Sequence, residues 1–105
     1  MMNKDAMNMI ECAVLENDIN KFHNTLDMTI FMNEVYMFQL DLDKINIDII
    51  DNLRNRISTM IKLSDELFDL RNRGIVLESV ELVSTCNDLK DLIQKHIQSL
   101  RSFYM

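Results

Sequence analysis

The side chains able to do chemistry are few, and their spacing is the first thing to test. Two cysteines, Cys12 and Cys86, and two histidines, His23 and His96, are the only thiol or imidazole groups in 105 residues. Cys12 and His23 stand eleven residues apart. On one helix that is about 16 Å, too far to share a metal ion. Cys86 and His96 are ten apart and are expected to point to different faces. Neither His follows a Glu at the three-residue spacing used by di-metal bundles, and neither H-E-x-x-H nor C-x-x-C occurs. Ser64 and Ser84 have no His or Asp set to activate them. The single glycine, Gly74, excludes a P-loop, a dinucleotide fingerprint and a nucleophile elbow, each of which needs several. The expectation is a chain with no catalytic residue, no cofactor and no metal, its thiols packed and its imidazoles partly exposed.

Charge narrows the partners. A net charge of −6, from 17 acidic and 11 basic residues, opposes binding to phosphate backbones and to anionic lipid. The candidates for a basic patch are Arg54, Arg56, Arg71 and Arg73. They share one expected helix with Asp48, Asp51, Asp65, Glu66 and Asp69, the composition of a mixed-charge solvent face. Two distant cysteines do not make a disulfide framework. The N-terminal stretch MMNKDAMNMIECAV has neither the apolar core of a secretory signal nor the character of a transit peptide. No apolar run of about eighteen residues exists to span a membrane. The expected setting is the cytoplasm, or a host cell interior if the gene is viral. Abundant Ile and Asn, with Ala only at Ala6 and Ala13, carry the bias of an AT-rich coding sequence.

The elements that must position these side chains are helices. With one Gly and no Pro, the turns of a small β fold have no residues to build them. A helix is expected over about 43–73, where Ile49, Leu53, Ile57, Met60, Leu67 and Leu70 form a stripe. Asp43 is placed to cap its start, and Gly74 to close its end in the left-handed conformation. A second helix is expected over about 78–103, with Leu82, Cys86, Leu89, Ile93, Ile97, Leu100 and Phe103 in line. The Ser84-Thr85 pair offers a later start, and Ile75, Val76 and Leu77 are expected to tuck under the pair from the connection. The first third reads as a helix over about 4–40, with Asn-rich segments near 17–25 as a possible break. The result is one domain over 1–105, an all-α antiparallel bundle of three long helices with coiled-coil-like packing, or of four if the first third breaks.

The stretch MTIFMNEVYMFQL, residues 28–40, is apolar on more than one side. Leu15, Ile19, Phe22 and Leu26 set a stripe that Met28, Phe31, Met32, Val35 and Phe38 continue after a shift of phase. These five are expected to face the bundle. Ile30 and Met37, seven apart, form a second stripe, with Tyr36 and Leu40 between the two and Thr29 and Asn33 as a polar strip. A helix apolar nearly all round is either enclosed or shared with a partner, and two other helices in a chain this small enclose it poorly. Ile30, Met37, Tyr36 and Leu40 are therefore the expected partner-binding residues. Nine Met side chains suit an adaptable surface.

The stretch INIDIIDNLRNRI, residues 45–57, resembles the opening helix of the all-helical chorismate mutases, where I-D-x-I-D leads to L-x-x-R. That resemblance implies a small helical enzyme, entwined as a dimer, with a cationic dicarboxylate pocket. The family's upstream Arg and downstream Lys have no counterpart, since Met37 or Gln39 and Asp65 or Leu67 stand there. No catalytic residue is carried over. The expected function is a non-enzymatic protein–protein interaction module: an adaptor, export chaperone or inhibitor that masks an apolar helical surface and pairs with itself when alone. The alternatives are the chorismate-mutase-like enzyme and an immunity or antitoxin-like bundle, whose acidity would suit a basic partner.

Overall fold

A computed structural model of the chain describes residues 4–42 and 47–104, with side chains described over 6–40 and 52–103. Three helices account for nearly all of it: α1 (Lys4–Leu42), α2 (Ile47–Val76) and α3 (Val80–Tyr104). They pack as an all-α three-helix bundle. Asp18 meets Arg73 and Asn33 meets Arg56, so α1 and α2 run antiparallel. Asn33 also meets His96, and a three-residue turn reverses the chain between α2 and α3. The molecule is a rod of 64 × 19 × 17 Å. Its radius of gyration of 17.4 Å exceeds the ~13 Å of a compact 100-residue domain. In so thin a rod each helix buries one face and leaves the other to solvent.

α1 is unbroken, so the Asn-rich segment makes no second helix. Leu15, Ile19, Phe22 and Leu26 hold one buried line straight through it. The hydroxyls of Thr25 and Thr29 donate to carbonyls four residues back within the helix. α2 and α3 pair most extensively with each other, and α1 lies across that pair. All three buried faces follow a three-four spacing. In α2 it runs through Leu53, Met60, Leu63 and Leu67, and in α3 through Cys86, Leu89, Ile93 and Leu100.

The turn between α2 and α3 corrects the expected role of Gly74. α2 continues past it to Val76, and no glycine has positive φ; Glu78 takes that conformation, at φ 56°. Ser79 N–H donates to Gly74 O and Glu78 N–H to Ile75 O, the paired bonds of a Schellman motif with Glu where Gly is usual. Gly74 serves close approach instead. A Cβ there would lie 3.1 Å from Val83 Cγ2, so its absence lets α3 seat against α2. Ser79 also caps α3, its Oγ accepting from Leu82 N–H at 3.3 Å. Thr85, in the pair expected to offer a later cap, is inside the helix and donates to Glu81 O. Ile75 and Val76 do not tuck under the bundle: both are helical and exposed, and only Leu77 packs on the core. Asp43, the expected cap of α2, and the side chain of Ile49 lie outside the described residues.

Candidate interaction surface and a buried polar layer

Between residues 28 and 40, α1 does carry two apolar stripes, but they are exchanged relative to expectation. Ile30, Tyr36 and Met37 pack against the protein's own core, and Leu40 is buried in it. Met28, Phe31, Met32, Val35 and Phe38 face solvent; both phenylalanines are 65 % exposed. The line of Leu15, Ile19, Phe22 and Leu26 continues without a phase shift through Ile30, Asn33, Met37 and Leu40. What hides this continuation in the sequence is Asn33, a polar residue in the middle of the line. Instead of forming a solvent strip, it is only 2 % exposed.

Its burial has a structural reason. Asn33 from α1, Arg56 from α2 and His96 from α3 meet in one polar layer of the bundle. Arg56 Nη1 donates to Asn33 Oδ1 at 2.9 Å, and Asn33 Nδ2 lies 3.1 Å from His96 Nε2. Since a guanidinium only donates, the amide oxygen must face Arg56, and the amide nitrogen then donates to the ring. His96 Nε2 is thus an acceptor, and the ring is neutral with its proton on Nδ1. Burial pushes the His96 pKa below its ordinary 6.5, with the Glu34 carboxylate pulling the other way. The Arg56 guanidinium also lies 4.0 Å above the Tyr36 ring, a cation–π contact that shields the half-buried charge. The residues of this layer are 23 and 63 positions apart from Asn33, which explains why no local pattern reveals it. His96 and Cys86 share the core side of α3, contrary to the expectation of different faces, and His96 is buried where a partly exposed imidazole was expected.

The remaining reactive groups are placed quietly. Burial pushes the Cys86 thiol up, with Arg71 pulling it down, so it stays a protonated packing group. His23 pairs at 3.3 Å with Asp27 on the exposed side of α1. Among the described residues no three His, Cys, Asp or Glu side chains come together to hold a metal ion. Arg56 and Arg73 are both engaged, with Asn33 and Asp18 respectively. Seventeen residues of helix, about 25 Å, separate them, so they do not line one cationic pocket.

A second apolar feature lies at the other end of α1. Ile10 and Val14 face Val76 and Leu77 across an open cleft of about 440 Å³, with Glu11, Asn72 and Arg73 at its rim. Ile10, Val14 and Val76 are each more than half exposed. The sequence holds a signal for this end, since Met7, Ile10 and Val14 recur at three-four spacing. That signal is weak because polar residues separate it from the richer stretch at 28–38. No described helix is long and apolar enough to cross a membrane. Comparison with protein families, curated proteins and solved structures finds no match.

Proposed function

We propose that this protein works by contact rather than by catalysis. In this reading it is a small helical interaction module whose outer α1 face covers an apolar helical surface of a partner chain, as an adaptor, chaperone or inhibitor does. The observation that carries it is the exposed arc of Met28, Phe31, Met32, Val35 and Phe38. These five side chains occupy about 120° of the helix, with no charged residue among them. At about 200 Å² for a fully exposed Met or Phe, they present roughly 600 Å² of apolar surface. That is at the top of the range of about 300–600 Å² for the largest patch on a monomeric protein, a size often tied to function. Such a patch costs solubility when left open, and its retention makes sense where a partner closes it.

The partner class follows from charge. A chain of net charge −6 associates more readily with protein surfaces than with nucleic acid or anionic lipid. The test is capture from the source cells by the tagged chain and by its Phe31→Ser/Phe38→Ser variant. The expected result is loss of captured protein by the variant, with helical content and melting temperature kept. Identical capture by the two would overturn the reading.

A further inference from the structure

The outer face of α1 is longer than the arc at 28–38, and its pattern runs the whole helix. Exposed positions recur at spacings of three and four from Met7 to Phe38, a coiled-coil seam on the side opposite the core. The seam is apolar at its start, with Met7, Ile10 and Val14. It is polar in the middle, with Asn17, Lys21 and Asn24. It is apolar again at its end, with Met28, Phe31, Val35 and Phe38.

Read backwards, this order matches itself at every position but one pair, Met28 against Asn17. We propose that the occupant of this face is a second copy of the chain, its α1 laid antiparallel on the first about a two-fold axis beside residues 22 and 23. The proposal rests on the contact reading above and names its partner. Reversal about that axis sets Phe38 against the partner's Met7, Val35 against the partner's Ile10, and Phe31 against the partner's Val14. At the centre, Lys21 faces the partner's Asn24, whose amide oxygen accepts from the ammonium. A parallel pairing would instead stack Lys21 on Lys21.

Shape agrees with sequence order. The cleft between Ile10, Val14, Val76 and Leu77 is open and apolar, and Phe31, Val35 and Phe38 stand exposed at the other end of α1, in position to fill its counterpart on a second copy. The two features lie about 21 residues apart on one helix, roughly 32 Å. A two-fold axis midway between them closes both contacts at once, leaving no open end to propagate a filament. The apolar side chains of both ends amount to roughly 900 Å² per copy at ~200 Å² for each large side chain. Two copies therefore offer about 1,800 Å², within the 1,200–2,000 Å² of stable specific interfaces. α1 would become the enclosed pair of a six-helix assembly, which accounts for apolar residues on both its sides.

The test uses the full chain. Sedimentation equilibrium of the wild type is expected to give twice the 12.4 kDa chain mass, and Val35→Asp to return it to one chain mass with helical content kept. In a Cys12→Ser background, the Val14→Cys/Phe31→Cys variant is expected to form a covalent dimer on mild oxidation. Neither single variant should do so. Covalent dimers from the single variants would mean parallel pairing and overturn the arrangement. A monomeric wild type overturns self-pairing. If Phe31→Ser/Phe38→Ser still abolishes capture of a source-cell protein in that case, the contact reading stands without it; unchanged capture would sink both.

Discussion

Across the thickness of a single helix, α1 carries two faces that invert the usual order of burial. The inner face between 28 and 40 holds Ile30, Asn33, Met37 and Leu40, and its most deeply buried member is an amide. The outer face holds two Phe, two Met and a Val, and stands in solvent. Apolar content alone would bury the outer set. Continuity decides otherwise, because the inner line is in phase with Leu15, Ile19, Phe22 and Leu26 and the outer set is not. Asn33 rides inward at little cost because α2 and α3 supply both of its bonds. Burial is a property of the whole helix line and of what faces it.

The comparison is most directly broken by truncating one side chain on each face. Leu26→Ala removes a side chain with no exposed surface and is expected to cost about 2–5 kcal/mol in denaturant unfolding. Phe31→Ala, measured at a dilution where the chain is monomeric, should fall within about 0.5 kcal/mol of wild type. Comparable losses at the two sites would refute the assignment of faces.

Asn33→Ala comes next, at about 1–3 kcal/mol, because it strands the Arg56 guanidinium and the His96 ring nitrogen inside the bundle. Asn33→Leu restores volume but not the bonds, so it should recover only part of the loss. Full recovery would show that the polar layer contributes nothing to stability.

Acid should then probe the layer without any substitution. The folded His96 pKa lies below the unfolded value of 6.5, so above that pH the ring is neutral in both states and its contribution is fully present. As pH falls from 6.5 toward the folded value, the unfolded chain takes up a proton that the native ring refuses. Stability drops there by no more than about 1.4 kcal/mol per pH unit, and stops dropping once the native ring is protonated too. His96→Gln keeps an acceptor for Asn33 and should flatten this part of the urea-midpoint profile. An unchanged slope in that variant would assign the effect to other groups.

The smallest expected effect is at the α2–α3 turn. Glu78→Gly relieves a left-handed conformation in a residue with a Cβ, and should stabilise the chain by up to about 1 kcal/mol. A lower melting temperature would mean that the Glu78 side chain makes a contact worth more than the strain.

Much of this fold was legible locally. The long lines of α2 and α3, the near absence of Gly and Pro, and the short connection after Arg73 led to three helices with nearly the right ends. Gly74 was legible as a marker of the turn but not in its role, because a close approach depends on Val83 arriving from the next helix. The candidate site was half legible. Two stripes on residues 28–40 follow from spacing, but their assignment turned on Asn33: its place in the line of Leu26, Ile30, Met37 and Leu40 was legible, while the groups that satisfy its burial were not.

By itself, then, the sequence determined the class of element, the lengths of the helices and the existence of an apolar surplus on α1, since these depend on residue type and on spacings of three and four. Only the tertiary structure decided which stripe became core. A polar side chain can be buried when distant groups satisfy it, and Arg56 and His96 reach Asn33 only once all three helices have packed.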